Sequence, residues 1–354
     1  METWPSTYTI SKVVREMPPA NPSRFLGVRF LPLNTQDFLD TQTIRYDQYG
    51  PHRGMIPAHS LDTDPALLKG ETLATKSMPT RYWKGARRIN ESDILRVRNL
   101  GPQFQTLQRD RLVTRAMNAV KLAVDVRMEY SRWLALNEGF AAFSEDGVTF
   151  AESYGLPSVS TATTADWDEF ASATPVDDVI EELVNFRGLG VTRVDMVING
   201  KAANWLARNQ DFIDRFSQSI RAADVGPGKI AQTFLECAGG GDSLLKAVHV
   251  YDEGYVNSSG TWTPFVSDDR CYLIGSVVET APADNEFPAE DMLGEWASTP
   301  AVRDGLDDVS PGMFAIPEDE TRTGNPYYDI TAGIYGMPVI YQPNWVRRIN
   351  IKQT

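Results

Sequence analysis

Residues 102–139, PQFQTLQRDRLVTRAMNAVKLAVDVRMEYSRWLALNEG, decide the fold. Pro102 suits the first turn of a helix, and Gly139 suits the position after the last turn. Between them, apolar residues recur mostly every three or four positions, at Phe104, Leu107, Val113, Met117, Val120, Val124, Met128 and Leu134. The pattern predicts one helix over residues 103–138, about 54 Å long at 1.5 Å per residue. So long a helix in a chain of 354 residues indicates a flat or elongated molecule built around a spine.

Upstream of the helix, residues 1–49 predict an extended arm. They contain five prolines, at positions 5, 18, 19, 22 and 32. Because proline fixes φ and removes a backbone donor, long helices are excluded there. The apolar cluster that includes Phe25 and Phe30 predicts a short strand, which needs a surface of this chain or of a neighbour to pack on.

Residues 50–90 predict a long hairpin. Glycine and proline bound two stretches of strand-like composition, an outgoing strand at 55–61 and a return at 71–83, with a tip at 62–70 that contains Lys69. A connection of this length is usually functional or disordered.

A basic group follows the return strand. Its members are Arg81, Lys84, Arg87, Arg88, Arg96 and Arg98, opposed only by Glu91 and Asp93. Three interpretations stay open. The group is a solvated face, it meets an acidic neighbouring subunit, or it makes weak, sequence-independent contact with DNA, as Arg109, Arg111 and Arg115 on the helix also could.

The second half of the chain predicts an α+β lobe. Pro175 and the acids after it favour a helix start. Beyond that helix we expect strands at 193–198, 245–251 and 270–275 and a helix at 201–215. The loose alternation of helix and strand is typical of an α+β fold.

Charge and composition exclude several classes of protein. The net charge is −13, with 34 basic and 47 acidic residues. Residues 1–139 carry 20 basic and 14 acidic residues, and the remainder carries 14 and 33, so the two parts have net charges of +6 and −19. No apolar run is long enough to span a bilayer, and the first residues lack the order of a signal peptide. Cys237 and Cys271 fit neither a disulfide framework nor a metal motif, so we expect a soluble protein made in a cytoplasm.

Residues that could support catalysis are few. His52, His59 and His249 form no metal-binding spacing, and the two glycine-rich stretches match no phosphate-binding motif. Two acidic groups could bind a divalent cation, namely Asp177, Asp178, Glu181 and Glu182 in one and Glu318, Asp319 and Glu320 in the other, but neither has the EF-hand pattern. We therefore predict a structural protein that has no catalytic residue, cofactor or metal. The alternative is an α+β enzyme with a carboxylate-bound cation in the acidic lobe.

Four patches and the C-terminal end resemble one family. They are NPSRFLGVRFLPL at 21–33, SMPTRYWKGARRINESDI at 77–94, residues 177–216, VHVYDEGYVNSSGTWTPFVSDDRCYLIG at 248–275, and YGMPV at 335–339. In this order they resemble the lambda-type capsid protein E family of tailed bacteriophages, which has the Hong Kong 97-type capsid fold.

The resemblance implies a domain organisation. It consists of an N-terminal arm (1–49), an extended loop (50–92), a peripheral domain around the spine helix (93–173), an axial domain (174–335) and a C-terminal strand that returns to the core (336–354).

It also implies a function. We expect the major capsid protein of a double-stranded DNA phage, assembled in the bacterial cytoplasm as hexamers and pentamers of an icosahedral shell. The expected partners are further copies of the chain, a separate scaffolding protein, a portal, a decoration protein and, weakly, packaged DNA, but no membrane. Another shell protein of the same fold, such as an encapsulin, is an alternative. The candidate contacts between subunits are Arg81, Lys84, Arg87, Arg88, Lys69, Phe25 and Phe30.

Overall fold

A computed structural model describes most of the chain and has an α+β fold. The described residues are 24–34, 43–50, 73–90, 93, 102–145, 148–162, 165–215, 227–238, 244–277, 291–299, 314–320 and 327–352. The helices are α1 Gly27–Phe30, α2 Pro102–Glu138, α3 Pro175–Val184, α4 Gly200–Arg208, α5 Gln210–Arg215, α6 Pro227–Cys237 and a 3₁₀ turn Pro343–Trp345. The strands are β1 Thr43–Tyr49, β2 Leu73–Pro79, β3 Arg81–Asn90, β4 Phe140–Glu145, β5 Val148–Ser153, β6 Ser160–Thr161, β7 Arg193–Ile198, β8 Leu245–Val250, β9 Gly254–Val256, β10 Trp262–Pro264, β11 Arg270–Ser276, β12 Gly294–Ser298, β13 Phe314–Glu320, β14 Tyr327–Ile340 and β15 Val346–Asn350.

The spine helix α2 confirms the prediction made from its apolar spacing. It has 37 residues and is about 55 Å long. Gly139 ends it with a φ of 64°, a conformation that suits glycine. Arg270 and Arg348 both donate to the carbonyl oxygen of Asn137, at 2.9 and 3.1 Å. Two positive charges therefore satisfy the negative end of the helix dipole.

One face of a four-stranded sheet packs on the spine helix. Strand β14 is central, with β3 along one side and β13 and β12 along the other. Ile89, Tyr328 and Ile330 from this sheet form a buried cluster with Val113 and Met117 of the helix. We call these four strands the peripheral sheet. Because β12, β13 and most of β14 pair within it, they belong with the spine helix and not with the axial domain, in which the sequence placed residues up to 335.

A five-stranded sheet forms the second lobe, in the order β6-β15-β11-β7-β8. We call this sheet, with helices α3 to α6, the axial lobe. The predicted strands at 193–198, 245–251 and 270–275 are present as β7, β8 and β11. The predicted helix at 201–215 is divided at Asn209, which has extended backbone angles. Its side-chain oxygen accepts from the amide of Phe212 at 3.0 Å and so caps a second helix.

The base of the predicted hairpin is an antiparallel pair of strands, β1 and β2. Strand β1 lies in the segment that the sequence assigned to the arm. The predicted outgoing strand at 55–61 and the tip at 62–70 lie outside the described residues. The alternation of β1 explains its position, because Ile44, Tyr46 and Gln48 are buried while Thr43 and Arg45 are exposed.

Candidate assembly surfaces

The basic group after the hairpin does not form one surface. In β3, Trp83 and Ile89 point toward the spine helix, and the guanidinium carbon of Arg127 lies 4.1 Å from the centre of the Trp83 ring. Because side chains alternate along a strand, Arg81 and Arg87 share this side of the sheet, whereas Lys84 and Arg88 lie on the other. Arg96 and Arg98 lie outside the described residues. The basic residues of β3 are close together in the sequence, but the alternation of side chains along the strand places them on opposite sides of the sheet.

Arg88 is already paired within the subunit. Its Nε and one terminal nitrogen donate to the two carboxylate oxygens of Asp329 on β14, at 2.9 and 2.7 Å. The ammonium of Lys84 lies 5.4 Å from the centre of the Tyr82 ring, which stacks on Tyr335. Lys84, Arg87 and Arg88 are all exposed, so a neighbouring molecule can reach each of them, although Arg88 already binds Asp329.

Phe25 and Phe30 are not available for contacts between subunits, which corrects the expectation from sequence. They are 3% and 8% exposed and belong to the core of the subunit itself. Phe30 packs edge-on against Trp133, with ring centres 6.4 Å apart. The physical reason is that α1 lies against the spine helix, which covers the apolar cluster. Lys69 lies outside the described residues.

The spine helix carries an exposed basic face. Arg111 and Arg115, one turn apart, are exposed, as are Asn118 and Leu122 farther along. For Arg109 the structure describes only the backbone. The arrangement suits weak contact with a polyanion, since exposed arginines can bind phosphate without forming a pocket.

The hairpin β9–β10 exposes two apolar side chains that sequence reasoning missed. Val256 and Trp262 are 65% and 55% exposed and lie opposite each other in the strand pair. The turn between them is ordered by Asn257, whose side-chain oxygen accepts from the amides of Ser259 and Thr261 at 3.1 and 2.9 Å. The one sequence signal is an apolar residue at each end of a polar turn.

The first acidic group is occupied by partners in the subunit. Asp177 pairs with Arg215 at 2.6 Å, Asp178 accepts from the indole of Trp167 at 2.9 Å, and Glu182 accepts from the hydroxyl of Ser160 at 2.8 Å. These three carboxylates face different donors, so they do not converge on one point. Within the described ranges, no group of three or more His, Cys, Asp or Glu side chains is arranged to hold a metal. For residues 318–320 the structure describes only the backbone.

His249 contacts a buried carboxylate, with its Nε2 3.4 Å from Asp195. Burial disfavours the charged form of Asp195, but hydrogen bonds from His249 and Arg193 and the charge of Arg29 outweigh it and hold the pKa below its usual value. A carboxylate held in its charged form by two arginines is a structural ion pair rather than a proton acceptor. His52 and His59 lie outside the described residues.

None of the helices in the described part of the chain combines the length and the apolar composition that crossing a bilayer requires.

Comparison with known proteins identifies one family and several proteins of similar structure. The sequence profile of the family described as phage major capsid protein E matches residues 6–346. No curated protein matches the chain. A protein described as the capsid protein of a prophage of Escherichia coli CFT073 has a similar structure, with 16% identity, a TM-score of 0.60, and coverage of 96% of this chain and 94% of that one. A phage-related protein from Bordetella bronchiseptica RB50 is similar at 11% identity and a TM-score of 0.55, with 97% and 96% covered.

A spine helix under a four-stranded sheet, an axial lobe and a hairpin base together define a viral shell subunit of the Hong Kong 97-type fold. The chain belongs to the phage major capsid protein E family. It is the major capsid protein of a tailed phage, and its place is the capsid of the virion.

Proposed function

We propose that this subunit assembles as hexamers and pentamers in an icosahedral shell, with the hairpin and exposed residues of β3 contacting neighbouring copies. Family membership supports the shell. The observation that carries the assignment of contacts concerns the base of the hairpin. Within the part of the chain that the structure describes, the hairpin is attached to the rest of the subunit at this base. The side-chain amide of Gln48 donates to the carbonyl oxygens of Tyr154 and Ile340 at 2.8 and 3.0 Å, and the amide of Tyr49 donates to Tyr341.

Between these strands the sequence has 23 residues, 50–72, for which its pattern predicts the rest of the hairpin. A two-stranded hairpin alone is marginally stable in water, so a hairpin of this length needs a surface to pack on. A neighbouring subunit supplies such a surface at every position in a shell, and many coupled contacts turn weak pairwise binding into a stable assembly.

Lys84 and Arg87, which lie on opposite sides of β3, are proposed to set the register between subunits by meeting acidic groups of neighbouring copies. The charge difference between the two parts of the chain, +6 against −19, supplies the complementary surface. Exposed charges at the edge of an interface mainly affect the rate and specificity of association, and their effect weakens with added salt.

We also propose assembly in the host cytoplasm with a separate scaffolding protein, a portal and a decoration protein as partners. We further propose that packaged DNA makes weak contact with the face of the spine helix that carries Arg111 and Arg115. This contact is supported by the exposure of both arginines, which lie one turn apart. Filter binding to duplex DNA tests it, because affinity must fall with salt and must fall further in a variant with both arginines changed to Gln.

Electron microscopy with size-exclusion chromatography, with and without the scaffolding protein, tests the function directly. We expect shells, or rings of five or six subunits. A folded monomer under every condition would refute the proposed hexamers and pentamers.

Two variants test the proposed contacts. Deletion of residues 62–70 is expected to leave a folded subunit that assembles poorly. Charge reversal of both Lys84 and Arg87 to Glu should slow assembly, whereas Arg208→Glu, at an exposed arginine on α4, serves as the control. Unfolding of the deletion variant would place the tip in an internal core, and equal slowing by the control would remove the special role of β3.

A further inference from the structure

Residues 24–34 contact all three parts of the described subunit. We call this segment, which includes α1, the strap. It lies between the axial lobe, the spine helix and the peripheral sheet, and each of the three binds it through hydrogen bonds or ion pairs. This placement is independent of the surfaces proposed above for assembly.

The axial lobe binds the strap through buried groups. A terminal nitrogen of Arg29 lies 3.1 Å from the carboxylate of Asp195, which is buried on β7. The hydroxyl of Tyr251, just after β8, shares its one proton between the carbonyl oxygen of Arg24, at 3.1 Å, and Oε1 of Glu129. Both contacts originate from the sheet of the axial lobe and not from its surface loops.

The spine helix binds the middle of the strap. The amide of Gly27 donates to Oε1 of Glu129 at 2.7 Å, and Nε of Arg132 donates to the carbonyl oxygen of Leu31 at 2.8 Å. Any side chain at position 27 would collide with the Glu129 carboxylate, since a Cβ there would lie 2.8 Å from Oε2. The same Oε1 also accepts from the indole of Trp133 and the hydroxyl of Tyr251, at 2.7 and 2.9 Å. One buried oxygen thus joins the strap, the helix and the axial lobe.

The peripheral sheet binds the end of the strap as an added strand would. The amide of Trp296 donates to Pro32 at 2.7 Å, and the amide of Asn34 donates to Trp296 at 3.0 Å. The side-chain amide of Asn34 also donates to Glu295 at 2.9 Å. The axial lobe and the spine helix also touch directly, through Arg270 and Glu138 at the end of the helix and through Tyr251 and Glu129 about two turns earlier. The strap connects this second contact to the peripheral sheet.

We propose that the strap is a latch that fixes the orientation of the axial lobe relative to the peripheral sheet, so that weakening its attachment to one of them loosens its attachment to the other. The reasoning is that a short segment with one end on each lobe cannot shift at one end without straining the other. Two attachments that share one rigid element are coupled, and coupling is reciprocal.

Hydrogen exchange on the full-length, unassembled subunit tests this latch. Asp195→Asn weakens the axial attachment and is expected to speed exchange of the Asn34 and Trp296 amides, on the peripheral side, by about tenfold or more. Reciprocally, Glu295→Ala, on the peripheral side, should speed exchange of the Gly27 amide. The amide of Ala162, bound to Asn350 in the axial lobe, is the reference and should not change.

Asp178→Asn is the matched control, because Asp178 is an equally buried carboxylate of the axial lobe that binds Trp167 and not the strap. If Asp195→Asn does not fold, Arg29→Gln removes the same contact from the strap side. Faster exchange confined to the axial lobe, or the same effect from Asp178→Asn, would overturn the proposal.

Discussion

Glu129 and Arg132 form a buried ion pair whose energetics can be predicted. They are 0% and 2% exposed, and the nearest nitrogen and oxygen lie 3.7 Å apart. Glu129→Gln keeps an oxygen for the three donors but leaves the Arg132 guanidinium without its closest counter-charge. Breaking a buried pair in this way costs about 3–5 kcal/mol. Because Asp125 also acts on Arg132, we expect the lower end, about 3 kcal/mol.

Arg132→Met should also cost about 3 kcal/mol, since it strands the Glu129 charge and leaves the Leu31 carbonyl without its donor. The double variant removes both charges, so only the unpaired carbonyl and imperfect packing remain, about 2–3 kcal/mol. The singles would sum to about 6 kcal/mol, so the predicted coupling is about 3 kcal/mol. Urea unfolding of the unassembled subunit, followed by tryptophan fluorescence, measures all four free energies of unfolding.

Asp177 and Arg215 form the matched control pair. They approach more closely, at 2.6 Å, but their side chains are 47% and 33% exposed. Their coupling should stay below about 1 kcal/mol, because solvent screens exposed pairs. If the effects of Glu129→Gln and Arg132→Met on the free energy of unfolding add up in the double variant within about 0.5 kcal/mol, the reasoning is refuted. Burial would then add no coupling energy between the two charges.

Three further predictions follow from burial and backbone geometry. Because the pKa of Asp195 is lower in the folded state than its usual 3.8, the stability it contributes is present above that value and is lost as the pH falls through the folded pKa. When the urea midpoint is plotted against pH, Asp195→Asn should therefore reduce the loss of stability on the acid side of the curve. An unchanged acid side would mean that Asp195 does not contribute this stability. Gly336→Ala should lower the free energy of unfolding by more than about 2 kcal/mol, because φ there is 150° and a Cβ would lie 2.4 Å from the carbonyl oxygen of Ala297. Gly85→Ala, with open space around it, is the control and should change little. Trp262→Ser should leave the thermal midpoint of the isolated subunit nearly unchanged, since Trp262 is largely exposed, and a large loss would mean that this side chain supports the fold.

Patterns of neighbouring residues predicted those helices and strands that depend on neighbouring residues alone. The spine helix was predicted with an error of one residue at its start, because its apolar spacing and its end at Gly139 depend on nearby residues alone. The length of β14 was not predicted. Gly333, Gly336 and Pro338 interrupt it, and such residues locally disfavour a strand. It is extended because three other strands pair with it, and that information lies far away in the sequence.

The candidate site was predicted less well, for a related reason. Adjacent basic residues suggested one surface, but a strand sends Lys84 and Arg87 to opposite sides. The apolar character of Phe25 and Phe30 indicated that something covers them, but composition cannot say whether the cover is the same subunit or a neighbour. The contacts of the spine helix with α1 decide this in favour of the same subunit.

Three of the buried ionic groups of this subunit lie at its joints, and this placement indicates what they do. Glu129, Arg132 and Asp195 each connect the strap to another part of the chain, whereas the interior of each lobe is dominated by apolar side chains. Well-packed apolar residues in place of a buried ion pair are often as stable or more so, so stability alone does not account for these charges. Apolar contacts tolerate sliding, but a carboxylate oxygen that accepts from three donors permits one relative orientation of the groups that carry them. A shell subunit needs that constraint, because small errors in the angle between its lobes would be repeated at every contact with its neighbours.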